Sequence, residues 1–397
     1  MDSQNSIAKL WLASKKAEHQ SLQMLFELSQ LVGQLHKMIH YLQLERGSSV
    51  LYLASDGEIP EQINYRAFRN EFCQQRESFN KSLETWLEST QGKNLGGSVY
   101  INLAKALSVL QNELYQARRD IDARAISSIQ AAEAISAVVK VLINVVVDMT
   151  ELSQESKIAK LMISLIYIMK AKEIAGQERA LGVYIVASGA IKDSDLANQR
   201  QSLVEMQQYY LTNFADTAPR STADQYKKIN GFTEIEQYRE KFPTQQLLGM
   251  QAAQDWFAVS TLRIEMMQLI EDNLVQSLQL LCAKQLNQSD ELLNQDQQWI
   301  DDVIGRELHQ SGDVNTAGST SMFMEKLTEQ GQALKVTQQE LAKTKQALLD
   351  QRVIQLAKSK LMKSFKLSEE SAHRKMQQAA MEKGIKLAEL ANQIIAK

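Results

Sequence analysis

LQLERGSSVLYLASDG, from Leu42 to Gly57, and AKEIAGQERALGVYIVASG, from Ala171 to Gly189, decide how the rest of the chain is read. Leu42 lies four residues before Arg46, and Val50 and Leu53 follow it by four and seven, so on a helix the arginine projects from the apolar face. Ala175, Val183 and Val186 surround Arg179 in the same way. The two stretches also echo each other. Glu45-Arg46 is followed by Ala54-Ser55 and Gly57, and Glu178-Arg179 by Ala187-Ser188 and Gly189, with the same spacing from arginine to alanine. Two related helical bundles, covering about 1–145 and 150–305, account for the echo.

A guanidinium facing a core costs several kcal/mol unless its charge and donors are matched. Glu45 and Glu178 sit about 100° away round their helices and are poorly placed to match it. Either a carboxylate from another helix or a small anion fills the role, unless the stems snorkel outward. Gly47, Gly176 and Gly182 beside the arginines leave room for a pocket.

Working outward, 397 residues with only 3 Pro and 16 Gly favour long helices, and no strand pattern competes, so the expected class is all-α. Breaks are expected near Asp56–Pro60, Gly92–Gly97, Ser188–Ser194, Asp216–Ser221 and Asn230–Phe232. Ser311 to Ser321, SGDVNTAGSTS, reads as a linker (311–322) that closes a first region of 1–310. Leu327, Leu334, Leu341 and Leu348 follow at sevens in a connecting segment, 323–350. They suit the seam of a coiled-coil homodimer, but Gly331, Gln338 and Lys345 as companions equally suit a lone helix.

Cys73 and Cys282 build no disulfide framework, and no secretory leader is apparent, which points to the cytoplasm. The most apolar run, Val138 to Val147, carries a polar edge of Lys140, Asn144 and Asp148, so no membrane span is expected. Net charge is −3, but residues 346–397 hold 10 Lys and Arg against 5 Asp and Glu. A basic end on an acidic protein admits nucleic acid without requiring it.

From Gln351 onward the chain reads as three short helices. Ser368 is placed as an N-cap before Glu369 and Glu370, Gly384 closes the second helix, and the third covers Lys386 to Ile395. Apolar faces come from Ile354, Leu361, Met362, Leu367, Ala372, Met376, Ala380, Leu387, Leu390 and Ala391. Arg352, Lys358, Lys363, Arg374, Lys375 and Lys383 are expected outside them.

The two opening stretches, with VEMQQYYLTNFADTA, EIEQYREKFP and DWFAVSTLRIEMMQLIEDNL after them in order, resemble the NIT domain, a helical sensor of nitrate and nitrite. The resemblance implies two four-helix-bundle lobes holding nitrate or nitrite between arginines, here Arg46, Arg179 and Arg239. Arg263 matches a position without an assigned role. On its own surroundings, Glu234, Glu236, Glu240 and Lys241, Arg239 suits a solvated face equally well. A planar trigonal oxyanion presents two in-plane oxygens to a guanidinium fork, which fits the implied ligand.

Arg352 to Met362, with Ala357-Lys358 and Leu361-Met362, and then Leu367 to Ala391, with Ala380-Met381, closely resemble the ANTAR domain, an RNA-binding module of antitermination regulators. Ser359 stands where that family often has glycine. The order implies a three-helix bundle over 351–397 that holds leader mRNA hairpins so that a terminator cannot form. The six basic residues named above are the candidate RNA contacts. The whole chain thus resembles nitrate-responsive antiterminators, regulators without catalytic residues or cofactor. His36 and His40 share a helix face without a third ligand and are read as structural. A DNA-binding one-component regulator is the alternative from another class.

Overall fold

With so few prolines and glycines the backbone has little cause to leave the helical basin. The computed structural model describes residues 2–57, 65–89, 97–151, 155–242, 248–309 and 335–396, the last range without 337, 344, 345, 347, 348, 352, 363, 366 and 368. In order, α1 is Asp2–Ala54, α2 Tyr65–Glu88, α3 Gly97–Gln111, α4 Glu113–Asp122, α5 Ser128–Glu151 and α6 Ser156–Ser188. Then come α7 Ser194–Thr217, α8 Ala223–Asn230, α9 Thr233–Lys241 and α10 Met250–His309. Residues 353–362 are helical, followed by α11 at Glu369–Lys383 and α12 at Leu387–Ala396. No strand occurs among the described residues.

The expected breaks have local causes. Helix α6 ends at Gly189, whose φ of 71° is the left-handed cap that glycine adopts without strain, and Asp193 then caps α7 through the amides of Asp195 and Leu196. Gly384, at φ 62°, ends α11. The break between α4 and α5 carries no glycine or proline: Arg124 takes φ 52° there, and its Nη1 donates to the Asp56 carbonyl at 2.7 Å. Pro60, Gly92, the 311–321 linker, Leu327, Leu334, Leu348 and the Ser368 cap lie outside the described residues.

Helix α1 packs on α2 and α5, with α3 and α4 against α5, while α6 packs on α7 and α10, with α8 and α9 against α10. The two echo stretches lie on α1 and α6. The two helix groups share one core, because α1 also packs on α6 and α10, and buried apolar side chains run on from Leu25 to Cys282. Residues Ser128–Thr150 of α5 are long and apolar enough to cross a membrane, but this helix lies against α1, α3, α4 and α6. Lys140 and Asn144 are exposed on it as expected. Asp148 instead turns inward and accepts a hydrogen bond from Asn102 Nδ2.

The C-terminal helices build their own small core from Ile354, Ala357, Met376, Ala380, Leu390 and Ala391. Tyr209 of α7 packs against it, and α11 rests on α7.

Candidate anion site

Arg46 and Arg179 are among the largest fully buried side chains, 0% and 1% exposed, as their apolar neighbours require. Arg46 Nη1 donates to Ser136 Oγ at 2.6 Å and to the Glu173 carboxylate. Arg179 Nη1 donates to Thr261 Oγ1 at 2.8 Å and Nη2 to the Gln43 carbonyl at 3.2 Å, while the guanidinium lies 4.7 Å over the Phe257 ring. Among the described residues, Arg46 Nε and Nη2 and Arg179 Nε have no hydrogen-bond partner. Burial, and after it the charge of Arg46, push the Arg179 pKa down to about 9. Two guanidiniums are therefore buried close to one another, one of them on a carboxylate, and donors remain to spare.

The glycines shape this site differently from the expectation of an empty pocket. Cβ atoms on Gly176 and Gly47 would overlap Arg46 Nη2 and Arg179 Nη2, so each arginine fills the space that the other helix leaves open. A Cβ on Gly182 would overlap Trp256 Nε1, which donates to the Arg179 carbonyl at 3.0 Å. Trp256 is fully buried and cannot yield easily, so Gly182→Ala is expected to destabilise by about 1–3 kcal/mol in urea unfolding.

Glu45 and Glu178 turn away from the arginines next to them, as the helix geometry requires. Glu45 is held by Arg118, with Nε–Oε1 at 2.9 Å and Nη2–Oε2 at 2.6 Å, and by Arg69. Glu178 receives Arg239 in the same bidentate way, at 2.9 and 2.6 Å. The echo in sequence is thus an echo in contacts. Arg239 is not on a solvated face, for its side chain is only 9% exposed. Its fork is engaged by Glu178 and Glu236, and no described contact joins it to Arg46 or Arg179. Arg263 is buried close by, its pKa lowered to about 10 by burial and then by Arg239.

The basic C-terminal residues divide. Lys375 and Lys383 are exposed, and Arg374 is half-exposed and 3.6 Å from Glu205 of α7. Lys358 corrects the expectation of a surface residue: it is 1% exposed. Its position four residues after Ile354 and three before Leu361 places the stem on the apolar stripe of its own helix. Arg352 and Lys363 lie outside the described residues. Around Arg374 the C-terminal unit docks on α6 and α7. His373 meets the Tyr209 ring edge-on at 5.2 Å, Gln355 Nε2 donates to Tyr210 Oη at 3.1 Å, and Lys170 Nζ donates to Gln351 Oε1 at 3.1 Å.

Sequence reasoning did not find Glu173, Ser136, Thr261 or this docking face. The only signal for Glu173 was its place six residues before Arg179, which does not reveal that it serves Arg46. A second buried network was legible in part. Lys172 follows Ile168 by four residues and precedes Ala175 by three, so it too faces the core, where it pairs with Glu271 at 2.6 Å. His36 joins Glu271 at 3.2 Å and Asp272 at 2.8 Å, which gives it the structural role expected.

The comparisons with known proteins agree with this architecture. The NIT family model, described as nitrate and nitrite sensing, matches residues 37–279, and the ANTAR domain model matches 342–395. A curated relative, the nitrate regulatory protein of Klebsiella oxytoca, is 28% identical over 97% of this chain and 94% of its own. A solved structure, of the NasR transcription antiterminator, superposes with a TM-score of 0.63 at 25% identity, covering 98% of both chains. The chain belongs to the nitrate- and nitrite-sensing NIT family and carries an ANTAR domain at its C-terminal end.

Proposed function

We propose that nitrate or nitrite binds at Arg46 and Arg179 and thereby frees the ANTAR unit to hold leader mRNA hairpins, preventing terminator formation in a nitrate assimilation operon. The observation that carries the anion site is the buried pair of guanidiniums whose Arg46 Nε and Nη2 and Arg179 Nε have no partner among the described residues. Arg239, paired with Glu178 here, is the third proposed ligand and joins when that pair opens. Residues 1–310 are the proposed sensor, 311–322 the linker, 323–350 the connecting segment and 351–397 the effector. The heptad leucines are the proposed seam of a homodimer, and the cytoplasm, where nascent transcripts are met, is the proposed location.

Arg374, Lys375 and Lys383 are the proposed RNA contacts, together with Arg352 and Lys363. Lys358 drops out because it is buried. Docking on α7 supports the gating step, since it engages Arg374 with Glu205 and covers His373. An anion gates the effector only if it prefers the undocked arrangement.

Leader-RNA affinity of the full chain, measured at fixed salt with and without nitrate, tests this. Nitrate is expected to raise it several-fold, and Tyr209→Ala, which weakens docking, to raise the nitrate-free value. Unchanged affinity in folded protein that binds nitrate would sink the gating step. Competition that favours duplex DNA over a two-hairpin RNA would replace RNA by DNA as the target.

A further inference from the structure

The carboxylate on Arg46 has no role in the scheme so far. The Glu173 side chain is 6% exposed on α6 and accepts hydrogen bonds on both oxygens. Oε1 receives Arg46 Nη1 and, at 2.9 Å, Gln177 Nε2, and Oε2 receives Gln43 Nε2 at 2.9 Å. The arrangement is that of a planar oxyanion coordinated by a guanidinium and two amides. Free nitrate offers the same planarity, single negative charge and in-plane lone pairs, so it suits the same donors. The room left by Gly47 and Gly176 is already filled by the two guanidiniums, so an anion gains Arg46 Nη1 only as Glu173 gives it up.

Glu173 also has a place to go. It lines a cleft of about 250 Å³ bounded by α5, α6, α7 and the effector helix. Lys140 and Lys170 in that lining offer positive charge to a displaced carboxylate, and Gln355, Leu356 and Ser359 of the effector complete it. One side chain thus borders both the arginine pair and the underside of the docked effector.

We propose that Glu173 is an internal surrogate for the anion: it occupies Arg46 in the unliganded protein, is displaced by nitrate or nitrite, and transmits binding by turning its charge into the cleft beneath the effector. This rests on the sensing role given above to Arg46 and Arg179. Competition from a tethered ligand lowers the apparent affinity for the free one, and the same displacement couples binding to docking.

The test is calorimetric titration of nitrate into the full-length chain and into Glu173→Gln, with leader-RNA binding measured on both. Glutamine keeps the shape and removes the charge. The expected result is nitrate binding at least about tenfold tighter, the scale of one charge-assisted hydrogen bond, together with loss of the nitrate-dependent gain in RNA affinity. A carboxylate that merely supports the fold or the site would give unchanged or weaker nitrate binding, and that result overturns the proposal. Tighter binding with the RNA response intact overturns the transmitting role.

Formate supplies an independent arm, being a free carboxylate. It is expected to raise the melting temperature of Glu173→Ala and to leave the parent chain unmoved, and equal shifts in both count against the surrogate. Should neither variant fold, Glu173→Asp decides. Its shorter reach loosens the hold on Arg46 and is expected to tighten nitrate binding, so an unchanged affinity overturns the proposal. Absence of nitrate binding in the parent chain is the distinct result that overturns the sensing reading itself, and this proposal with it.

Discussion

Arg46→Ala is expected to give a protein whose melting temperature no longer responds to nitrate. In the parent chain, nitrate at one hundred times its Kd is expected to stabilise the folded state by about 2.7 kcal/mol. With an unfolding entropy of about 2.1 cal/mol/K per residue, a chain of 397 residues shifts by roughly 1 °C for each kcal/mol. Alanine removes both the Nη1 contact to Ser136 and Glu173 and the unpartnered Nε and Nη2 donors, so nothing at that position remains to hold an anion. The nitrate-free melting temperature is also expected to fall, because Glu173 keeps only Gln43 and Gln177. The measurement that matters is therefore the difference between scans of the same variant with and without nitrate. A retained shift would mean that another residue carries the binding. Arg46→Lys sharpens the comparison, since an ammonium restores the charge without the planar fork.

Glu271→Ala is expected to cost about 3–5 kcal/mol, the largest stability loss among the substitutions considered. Glu271 and Lys172 are both fully enclosed, 0% exposed at their side chains, and His36 adds a third group to the same cluster. Burial pulls the His36 pKa down, but hydrogen bonds to Asp272 and Glu271 outweigh it and leave the pKa raised. With Glu271 removed, Lys172 keeps only Gln268 Oε1. Urea unfolding of the parent and variant measures the loss. The double replacement Glu271→Leu with Lys172→Met removes both charges and is expected to be close to neutral, because desolvating the pair consumes most of what its attraction returns. A double variant as unstable as the single one would show that packing, not the unpaired ammonium, sets the cost.

These effects centre on residues that were unequally visible beforehand. Arg46 and Arg179 were legible because helical periodicity alone puts them among Leu42, Val50 and Leu53 and among Ala175, Val183 and Val186. Glu271 was not, because its partners lie 99 and 235 residues away, on α6 and α1. Arg239 shows the intermediate case. Its neighbours in sequence are acidic and suggest water, yet its bidentate partner Glu178 is 61 residues away.

The sequence by itself determined the all-helical class, the positions of most helix breaks, the inward aim of the two arginines and the order of residues that marks the ANTAR unit. All of these depend on what one residue does to its own helix: a glycine that accepts positive φ, an aspartate that caps, an apolar stripe at 3.6 spacing. Only the tertiary structure decided which carboxylate meets Arg46, that Gly47 and Gly176 hold guanidiniums and not an empty pocket, and that the effector docks on α7. Each of those is a contact between helices. Helix crossing angle and register follow from how many side chains pack at once, so no single stretch of the chain specifies them.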